Sequence, residues 1–255
     1  MPTAQIPDKP LVGTMIRMVN SPGIAHIVFQ AGLDFFMLDM EHGAYTFNDL
    51  CAIAGTAYTL KLDCYVRVPE LSRGYVSRAL DCGATGVMVP MIETVEQAQK
   101  LASWAKYPPV GKRGMGSIGA LTGYGRISSA SSFMEEANST TVAIAQIETV
   151  TGIKNITEIA AVDGIDALLV GPYDLSVSHG DPGNFTSPIM NKSIQKVAET
   201  ARENGKIFGM HAGNSLLDFW IHHGMNMIMN DLDINILLTG MQNISERFKP
   251  KTTVV

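Results

Sequence analysis

The fold of this chain is decided by one stretch, residues 141–176, which reads TVAIAQIETVTGIKNITEIAAVDGIDALLVGPYDLS. It starts with a short apolar run, TVAIAQIE, continues through a helix-like segment, GIKNITEIAAVD, and ends in a second apolar run, ALLVGPYD. Apolar runs of this length between turn residues are typical of strands that are buried on both faces of a parallel sheet. The stretch therefore predicts a β–α–β unit.

The same alternation repeats along the rest of the 255-residue chain. We predict strands at 11–18, 35–40, 64–69, 86–92, 141–148, 167–174, 207–213 and 225–231. Predicted helices cover 21–32 (with Ser21 as N-cap), 47–61, 72–83, 94–107, 152–163, 191–205, 215–224 and 235–248, and a glycine-rich loop covers 110–125.

Eight β–α repeats without a break in composition predict a single domain over residues 1–255. Their number and spacing predict an α/β fold of the (β/α)8 TIM-barrel type. A doubly wound open sheet is the alternative. The stretch after the first strand, GTMIRMVNSPG (13–23), lacks the GxGxxG pattern that is typical of that fold.

Composition limits the classes of partner. The net charge of −5 argues against nucleic acid, because duplex binding requires clustered basic residues. We expect no membrane span, since no run of eighteen apolar residues occurs. The chain start lacks a signal-peptide pattern, which predicts a cytoplasmic protein.

The three cysteines are Cys51, Cys64 and Cys82. Their odd number and the lack of CxxC spacing favour reduced, packed thiols over disulfides.

Polar side chains stand at the ends of the predicted strands. In a parallel barrel the carboxyl ends of the strands meet at one mouth, where active sites of this fold lie. We therefore expect several candidates to converge there, with Asp81 joining from the loop before the fourth strand: Asp39, Glu41, His42, Arg67, Gln146, Glu148, Asp174 and His211.

Several carboxylates in one poorly solvated mouth stay ionised only if a cation compensates them. Oxygen ligands favour Mg²⁺, Mn²⁺ or Co²⁺ over zinc, and two carboxylates leave coordination positions open. The pattern therefore predicts a catalytic divalent metal.

Arg67 and His42 suggest the remaining chemistry. The planar donor fork of Arg67 suits a carboxylate or an oxyanion, so the substrate is predicted to be an acid. His42 is the candidate proton carrier, with Asp81 as a carboxylate that could orient its ring. Alternatives remain open: a strand-end acid can cap the next helix, Asp81 can lie in a last helical turn facing solvent, and His211 can be a loop or core histidine.

Longer motifs extend these signals over almost the whole chain. They are LDFFMLDMEHG (33–43), VRVP (66–69), ALDCGATGVMVPMIETVEQA (79–98), PPVGKRGMG (108–116), residues 145–176 and GDPGN (180–184). On these motifs the chain resembles the HpcH/HpaI family of class II, divalent-metal-dependent 2-oxo-acid (pyruvate) aldolases.

The resemblance implies a barrel enzyme in which Glu148 and Asp174 bind the metal and Arg67 contacts the keto oxygen of pyruvate. It also implies an acid–base pair of His42 and Asp81.

The same resemblance implies roles for three further groups. Asp39 supports the His42 end of the site, Gln146 lies beside the metal, and the backbone of Gly171 and Pro172 lines the pyruvate carboxylate pocket.

Two departures from the family pattern concern the second substrate, an aldehyde. Tyr173 stands where a small residue or Asn is frequent, and His211 stands where a hydroxyl residue is commoner. The resemblance further implies a homohexamer, a trimer of dimers, with the C-terminal helix (about 234–248) on a neighbouring subunit. The aldehyde site then lies near a subunit boundary.

Two other functions remain as alternatives. A citryl- or malyl-CoA-type lyase has similar strand-end acids, but such enzymes are longer and carry basic residues for the CoA phosphates. A non-catalytic binding protein could use the same barrel, because fold alone does not prove activity. The presence of His42, Arg67, Glu148 and Asp174 together argues against it.

Overall fold

The computed structural model describes residue 7 and residues 9–249. Its strands are β1 (Leu11–Ile16), β2 (Phe35–Asp39), β3 (Asp63–Arg67), β4 (Gly86–Val89), β5 (Val142–Ile147), β6 (Ala167–Val170), β7 (Ile207–Ala212) and β8 (Met227–Leu232). All pair in parallel with their neighbours along the chain, and β1 pairs with β8, which closes the barrel. The predicted (β/α)8 barrel is confirmed, and the open sheet is wrong. Residues 1–6, 8 and 250–255 of the predicted domain lie outside the described part.

The helices surround the strands. They are α1 (Gly23–Gln30), α2 (Phe47–Leu60), α3 (Arg73–Asp81), α4 (Val95–Ala105), α5 (Ala130–Thr140), α6 (Val150–Lys154), α7 (Ile156–Ala160), α8 (Pro172–Ser178), α9 (Pro188–Glu203), α10 (Asn214–Ile221) and α11 (Asp233–Phe248). None of the described helices is both long and apolar enough to cross a membrane.

Two helical segments differ from the predicted pattern. Helix α5 was not predicted, because Ser, Glu, Asn and Thr dominate its sequence and leave little apolar periodicity. The predicted helix 152–163 is divided into α6 and α7, which meet at Asn155.

The boundaries after β6 and before α1 also differ. Strand β6 ends at Val170 rather than at 174, because Pro172 begins α8 with a ring already fixed in a helical conformation. Helix α1 begins at Gly23, and Ser21 is not its N-cap residue, although the Ser21 hydroxyl accepts a 3.3 Å hydrogen bond from the Gly23 N–H.

Helix α5 is fixed to the amino-terminal end of the barrel by a buried charge. Lys106 is 2% exposed, and its Nζ lies 2.8 Å from Asp166 Oδ2. The same ammonium donates to the carbonyls of Asn138, at 2.9 Å, and Thr141. Asp166 and Thr141 directly precede β6 and β5, so this network lies at the end of the barrel opposite the strand carboxyl ends.

The barrel interior is a packed core, and two glycines leave space for its largest rings. Phe35 and Tyr65 pack with ring centroids 5.1 Å apart. A Cβ at Gly13 would lie 2.6 Å from both the ring and the carbonyl oxygen of Phe35, and one at Gly86 would lie 2.8 Å from the Tyr65 ring. The other interior side chains are mainly Met and aliphatic: Met15, Met37, Met88, Val142, Ile144, Ala167, Leu169, Ile207, Met227 and Met229.

Gly13→Ala tests this packing. We expect the free energy of unfolding to fall by about 1–3 kcal/mol, because the added methyl group meets backbone and ring atoms that cannot both move. The matched control is Gly55→Ala in helix α2, where a Cβ meets nothing within 4 Å. That change should stabilise the protein by roughly 0.5–1 kcal/mol through helix propensity. Urea unfolding of both variants measures the difference, and equal effects would contradict this account of the core.

The prediction of three packed thiols is wrong for two of the cysteines. Cys51 in α2 and Cys82 at the end of α3 form a disulfide, with Cα atoms 4.5 Å apart and a sequence separation of 31. Cys64 in β3 is free and buried. The pair meets because α2 and α3 pack side by side on the outside of the barrel, which sequence spacing does not reveal.

Candidate active site

Asp39 is the buried anchor of the mouth. It ends β2 and is fully buried, and its carboxylate accepts hydrogen bonds from two guanidinium groups. Arg67 donates through Nε at 2.9 Å and Nη2 at 2.7 Å, and Arg17 donates through Nε at 2.8 Å. The backbone N–H groups of Glu41 and His42 also donate to it, at 3.1 and 3.3 Å. Burial opposes its charge, but the hydrogen bonds and positive charges of Arg67 and Arg17 hold the pKa of Asp39 below its usual value.

Arg67 is held in one orientation at the end of β3. Its Nε and Nη2 face Asp39, and its Nη1 lies 2.9 Å from Glu41 Oε2. The side chain is 7% exposed and lines the mouth cavity. The structure thus places Arg67 at the predicted mouth with its guanidinium plane fixed by two carboxylates.

Arg17 is a mouth residue that the sequence reasoning missed. It directly follows the last residue of β1 and lines the same cavity. A signal was available, because Arg17 stands at a strand end in the same way as Arg67.

Glu148 follows β5 and is 2% exposed. Its Oε1 accepts a 2.8 Å hydrogen bond from the Met91 N–H, and its Oε2 accepts one of 2.5 Å from Gln146 Nε2. Met91 has the left-handed φ of 55°, a conformation that costs energy in a non-glycine residue and here presents its N–H to the carboxylate. Gly171 lies against both side chains, and a Cβ there would meet the Glu148 carboxylate and lie 2.8 Å from Gln146 Nε2.

The charge state of Glu148 is sensitive to its surroundings. Burial, together with the nearby carboxylates of Asp174 and Glu41, raises the pKa of Glu148 to about 7, although the Met91 N–H and Arg67 act to lower it. A buried carboxylate that faces other carboxylates favours a bound proton or a bound cation.

Asp174 belongs to the same mouth but not to a strand. It lies in the first turn of α8, exposed, and lines the cavity together with Gly171, Pro172 and Tyr173. Tyr173 is 63% exposed and packs against the ring of Phe185, with centroids 6.0 Å apart. The cavity that these side chains share with Arg67 and Gln146 has a volume of about 910 Å³.

The donor set fits an open divalent-cation site rather than a closed one. Among residues 9–249, no group of three or more His, Cys, Asp and Glu side chains could hold a metal ion by itself. Two carboxylates, Glu148 and Asp174, are available, and the buried Gln146 Oε1 beside them has no hydrogen-bond partner in the described structure. An unpartnered buried oxygen next to carboxylates that repel each other is compatible with a hard cation that keeps open positions.

His42 and Asp81 are not brought together within one chain. His42 lines the cavity, with its side chain 54% exposed and its Nε2 3.9 Å from Glu41 Oε2. Asp81 is the last residue of α3, and its carboxylate pairs with Arg113 Nη2 at 2.7 Å. Helices run antiparallel to the strands, so α3 ends at the amino-terminal side of the barrel, away from the mouth. Within one chain the structure therefore does not bring Asp81 to His42, and Asp81 lies in the last turn of α3. The role of Asp81 in orienting His42 stays a prediction.

His211 ends up in the wall of the cavity, near the end of β7. Its Nε2 lies 3.1 Å from the carbonyl oxygen of Asp231, and burial lowers its pKa. It stands on the β7–β8 side of the mouth, whereas Glu148 follows β5.

The fold and this mouth define a (β/α)8 barrel with a polar cavity at the carboxyl ends of its strands, and comparison with known proteins identifies its family. The chain belongs to the HpcH/HpaI aldolase/citrate lyase family, which matches residues 16–230, and it is an aldehyde-lyase. It is 33% identical over 230 residues to a hydroxypyruvate/pyruvate aldolase of Roseobacter denitrificans, covering 88% of each chain. It is 38% identical over 202 residues to a 2-dehydro-3,6-dideoxy-6-sulfogluconate aldolase of Pseudomonas putida, covering 79% of this chain and 76% of that one.

A solved structure agrees with the family assignment. The HpcH/HpaI aldolase from Desulfitobacterium hafniense superimposes with a TM-score of 0.88 at 33% identity, covering 95% of this chain and 96% of that one. The family resemblance predicted from the motifs is confirmed.

The raised pKa of Glu148 predicts a pH-dependent stability in the metal-free protein. Between pH 4.5 and about 7 the folded state holds a proton that the unfolded chain has lost. This contribution to stability is therefore fully present below pH 4.5 and is lost as the pH rises through about 7. From pH 5 to pH 8 in chelator, the wild type should lose on the order of 2–3 kcal/mol of unfolding free energy relative to Glu148→Gln.

Urea unfolding at the two pH values measures this difference. Glu158→Gln, at an exposed position of α7, is the control and should follow the wild type. If the wild type and Glu148→Gln lose the same free energy, Glu148 does not carry the buried proton.

Proposed function

We propose that this protein is a class II aldolase that uses a divalent metal to join a 2-oxo acid to an aldehyde, or to cleave the resulting 4-hydroxy-2-oxo acid. The 2-oxo acid is pyruvate or a close relative such as hydroxypyruvate. The observation that carries the proposal is the buried Glu148 carboxylate, which is hydrogen-bonded to Gln146 and lies near the charge of Asp174. Gln146 and Asp174 line one cavity together with the fixed guanidinium of Arg67.

Glu148 and Asp174 would hold the metal, as Mg²⁺, Mn²⁺ or Co²⁺. When bound, such a cation supplies positive charge that stabilises an oxyanion as it develops. Gly171 lies close against Glu148 and Gln146 because it has no side chain, and it lines the cavity with Pro172. We assign the carboxylate pocket of the 2-oxo acid to this backbone.

The chain's own residues carry the proton and orient the 2-oxo acid. Arg67 donates from Nη1 to the keto oxygen, and Asp39 keeps the guanidinium in that orientation through its two hydrogen bonds. His42 exchanges a proton between the mouth and solvent, because its half-exposed ring lies at the rim near Glu41. In synthesis the methyl group of pyruvate loses a proton, its carbon bonds to the aldehyde carbon, and the aldehyde oxygen gains a proton.

We further propose a cytoplasmic homo-oligomer, a hexamer, with α11 packed on a neighbouring subunit. The support for the packing is the unusual exposure of this helix, in which Asp233 is its one buried residue among those described. A surface helix normally exposes mainly polar side chains. The exposed apolar side chains of α11 are Ile234, Ile236, Leu237, Leu238, Met241, Ile244 and Phe248.

A test of the reaction uses pyruvate and hydroxypyruvate with a panel of aldehydes, each with Mg²⁺, Mn²⁺ or Co²⁺ and with chelator. We expect a 4-hydroxy-2-oxo acid, identified by mass, only when a metal is present. Glu148→Ala and Asp174→Ala should each lower turnover by more than about 100-fold, as expected for loss of the main electrostatic stabiliser. Calorimetric titration should show weaker metal binding in both variants, and Glu158→Gln should retain both properties.

Two results would contradict the proposed function. Full metal-dependent turnover in both single variants would move the metal site elsewhere. Product from a CoA thioester, with none from free pyruvate, would favour the citryl- or malyl-CoA-type lyase.

The role of Arg67 is tested by Arg67→Lys. The point charge of an ammonium group cannot replace a planar fork that faces Asp39, Glu41 and the substrate at once. We expect kcat to fall by about 100-fold with a smaller change in KM for pyruvate, because the contact strengthens as charge develops on the keto oxygen. The control is Arg73→Lys, at an exposed position of α3. Near-normal kcat in Arg67→Lys would exclude the contact.

A further inference from the structure

The proposed site for the metal and the 2-oxo acid uses only one side of the mouth. Gln146 lies near the end of β5, and Glu148 and Asp174 follow β5 and β6. The opposite side is formed by the ends of β7, β8 and β1. The cavity extends to this second side, where several polar side chains line it. We refer to the residues Arg17, His211, Asn230, Asp231 and Asn235 as the polar wall.

The polar wall depends on an irregularity in β8. Gly13 pairs with Met229 and Met15 pairs with Leu232, so two residues of β8, Asn230 and Asp231, lie opposite the single residue between Gly13 and Met15. Such a bulge redirects side chains and is frequent next to active sites.

Asp231, which lies in this bulge, has a rare backbone conformation. Its φ is 62°, in the left-handed region that few non-glycine residues adopt. Its carbonyl oxygen accepts from Thr14 Oγ1 at 3.3 Å and lies 3.1 Å from His211 Nε2, contacts that hold the backbone in place. Strain of this kind persists at sites where a particular side-chain position is needed.

Only one of the two carboxylate oxygens of Asp231 accepts hydrogen bonds within the described part of the chain. Its Oδ1 accepts from the Leu232 N–H at 2.8 Å and from Asn235 Nδ2 at 2.9 Å. Its Oδ2 has no hydrogen-bond partner among residues 9–249. A carboxylate oxygen that can accept a hydrogen bond is therefore available on the cavity wall.

Arg17 provides a donor on the same wall. Its Nε is committed to Asp39 at 2.8 Å, and its Nη2 makes only a weak 3.8 Å contact with Met15 Sδ. Its Nη1 has no partner in the part of the chain that the structure describes. Its side chain is 27% exposed, so the guanidinium is open to the cavity.

Asp231 and Arg17 together select among chemical classes of aldehyde substrate. An aldehyde that ends in a carboxylate would attract Arg17 but be repelled by Asp231. An alkyl aldehyde would desolvate both groups without giving either a partner, which is costly. A hydroxyl group suits both partners, because it can donate to a carboxylate oxygen and accept from a guanidinium N–H.

From this geometry we propose that the polar wall recognises a hydroxyl group of the acceptor, so the aldehyde substrate is a short hydroxylated one and Asp231 determines that specificity. The inference rests on the proposed aldolase function. It assigns binding of the 2-oxo acid to the β5–β6 side of the mouth and selection of the aldehyde to the β8–β1 side.

The experiment compares kcat/KM, with saturating pyruvate and metal, for propanal, 2-hydroxypropanal, 3-hydroxypropanal and 4-oxobutanoate. The variants are Asp231→Asn and Asp231→Gly, because Asn and Gly both tolerate a left-handed φ and so avoid the strain that Ala would add. Asp218→Asn, on the exposed face of α10, makes the same chemical change away from the mouth.

We expect the wild type and Asp218→Asn to prefer at least one hydroxypropanal over propanal by about 10-fold or more, and to use 4-oxobutanoate least. In both Asp231 variants this preference should fall by about 10-fold to 100-fold, the range for a hydrogen bond to a charged group. Intrinsic differences in aldehyde reactivity and in active fraction cancel, because each ratio is measured within one preparation and compared between variants.

The outcomes separate the two proposals. If the wild type makes no aldol product from any aldehyde, the proposed function fails. If it makes product but prefers propanal or 4-oxobutanoate, or if Asp231→Gly keeps the hydroxyl preference, the aldolase function stands and the specificity role of Asp231 is refuted.

Discussion

The architecture of the mouth depends on the buried carboxylate of Asp39 and the two guanidiniums that neutralise it. A fully buried charge is tolerated only when it is paired and hydrogen-bonded. Asp39 satisfies this condition by binding Arg17 after β1 and Arg67 at the end of β3, so three consecutive strand ends are tied together by one group. Removing either arginine leaves the other to neutralise Asp39 alone.

Glu148 is the opposite case at the same mouth of the barrel. It is as well buried as Asp39 but has backbone and amide donors instead of a guanidinium partner, and its charged neighbours include the carboxylates of Asp174 and Glu41. The pKa of Asp39 is therefore lowered, while that of Glu148 is raised to about 7. Two carboxylates whose pKa values are pushed apart by their surroundings have different tasks. Asp39 supports the site, and Glu148 has a reason to bind a cation.

The two sides of the mouth differ in backbone as well as in charge. Close to Glu148, the side chain is removed at Gly171 and an N–H is supplied by the left-handed Met91. On the far side, a bulge in β8 and the left-handed Asp231 turn polar groups toward the cavity. The regular barrel fixes the distance between the two sides, and the irregular backbone at each side decides which groups meet a ligand.

Local pattern in the sequence determined the eight-fold alternation, and with it the barrel and the strand-end position of Asp39, Arg67 and Glu148, because buried parallel strands must be apolar and the chain must turn at both ends. Tertiary structure alone decided which polar ends pair with which. Arg17 binds Asp39, Asp81 faces Arg113 at the opposite end of the barrel, and Cys51 meets Cys82. The physical reason is that such pairing follows from closure of the barrel and packing of its helices, which join residues distant in sequence and leave no periodic trace in it.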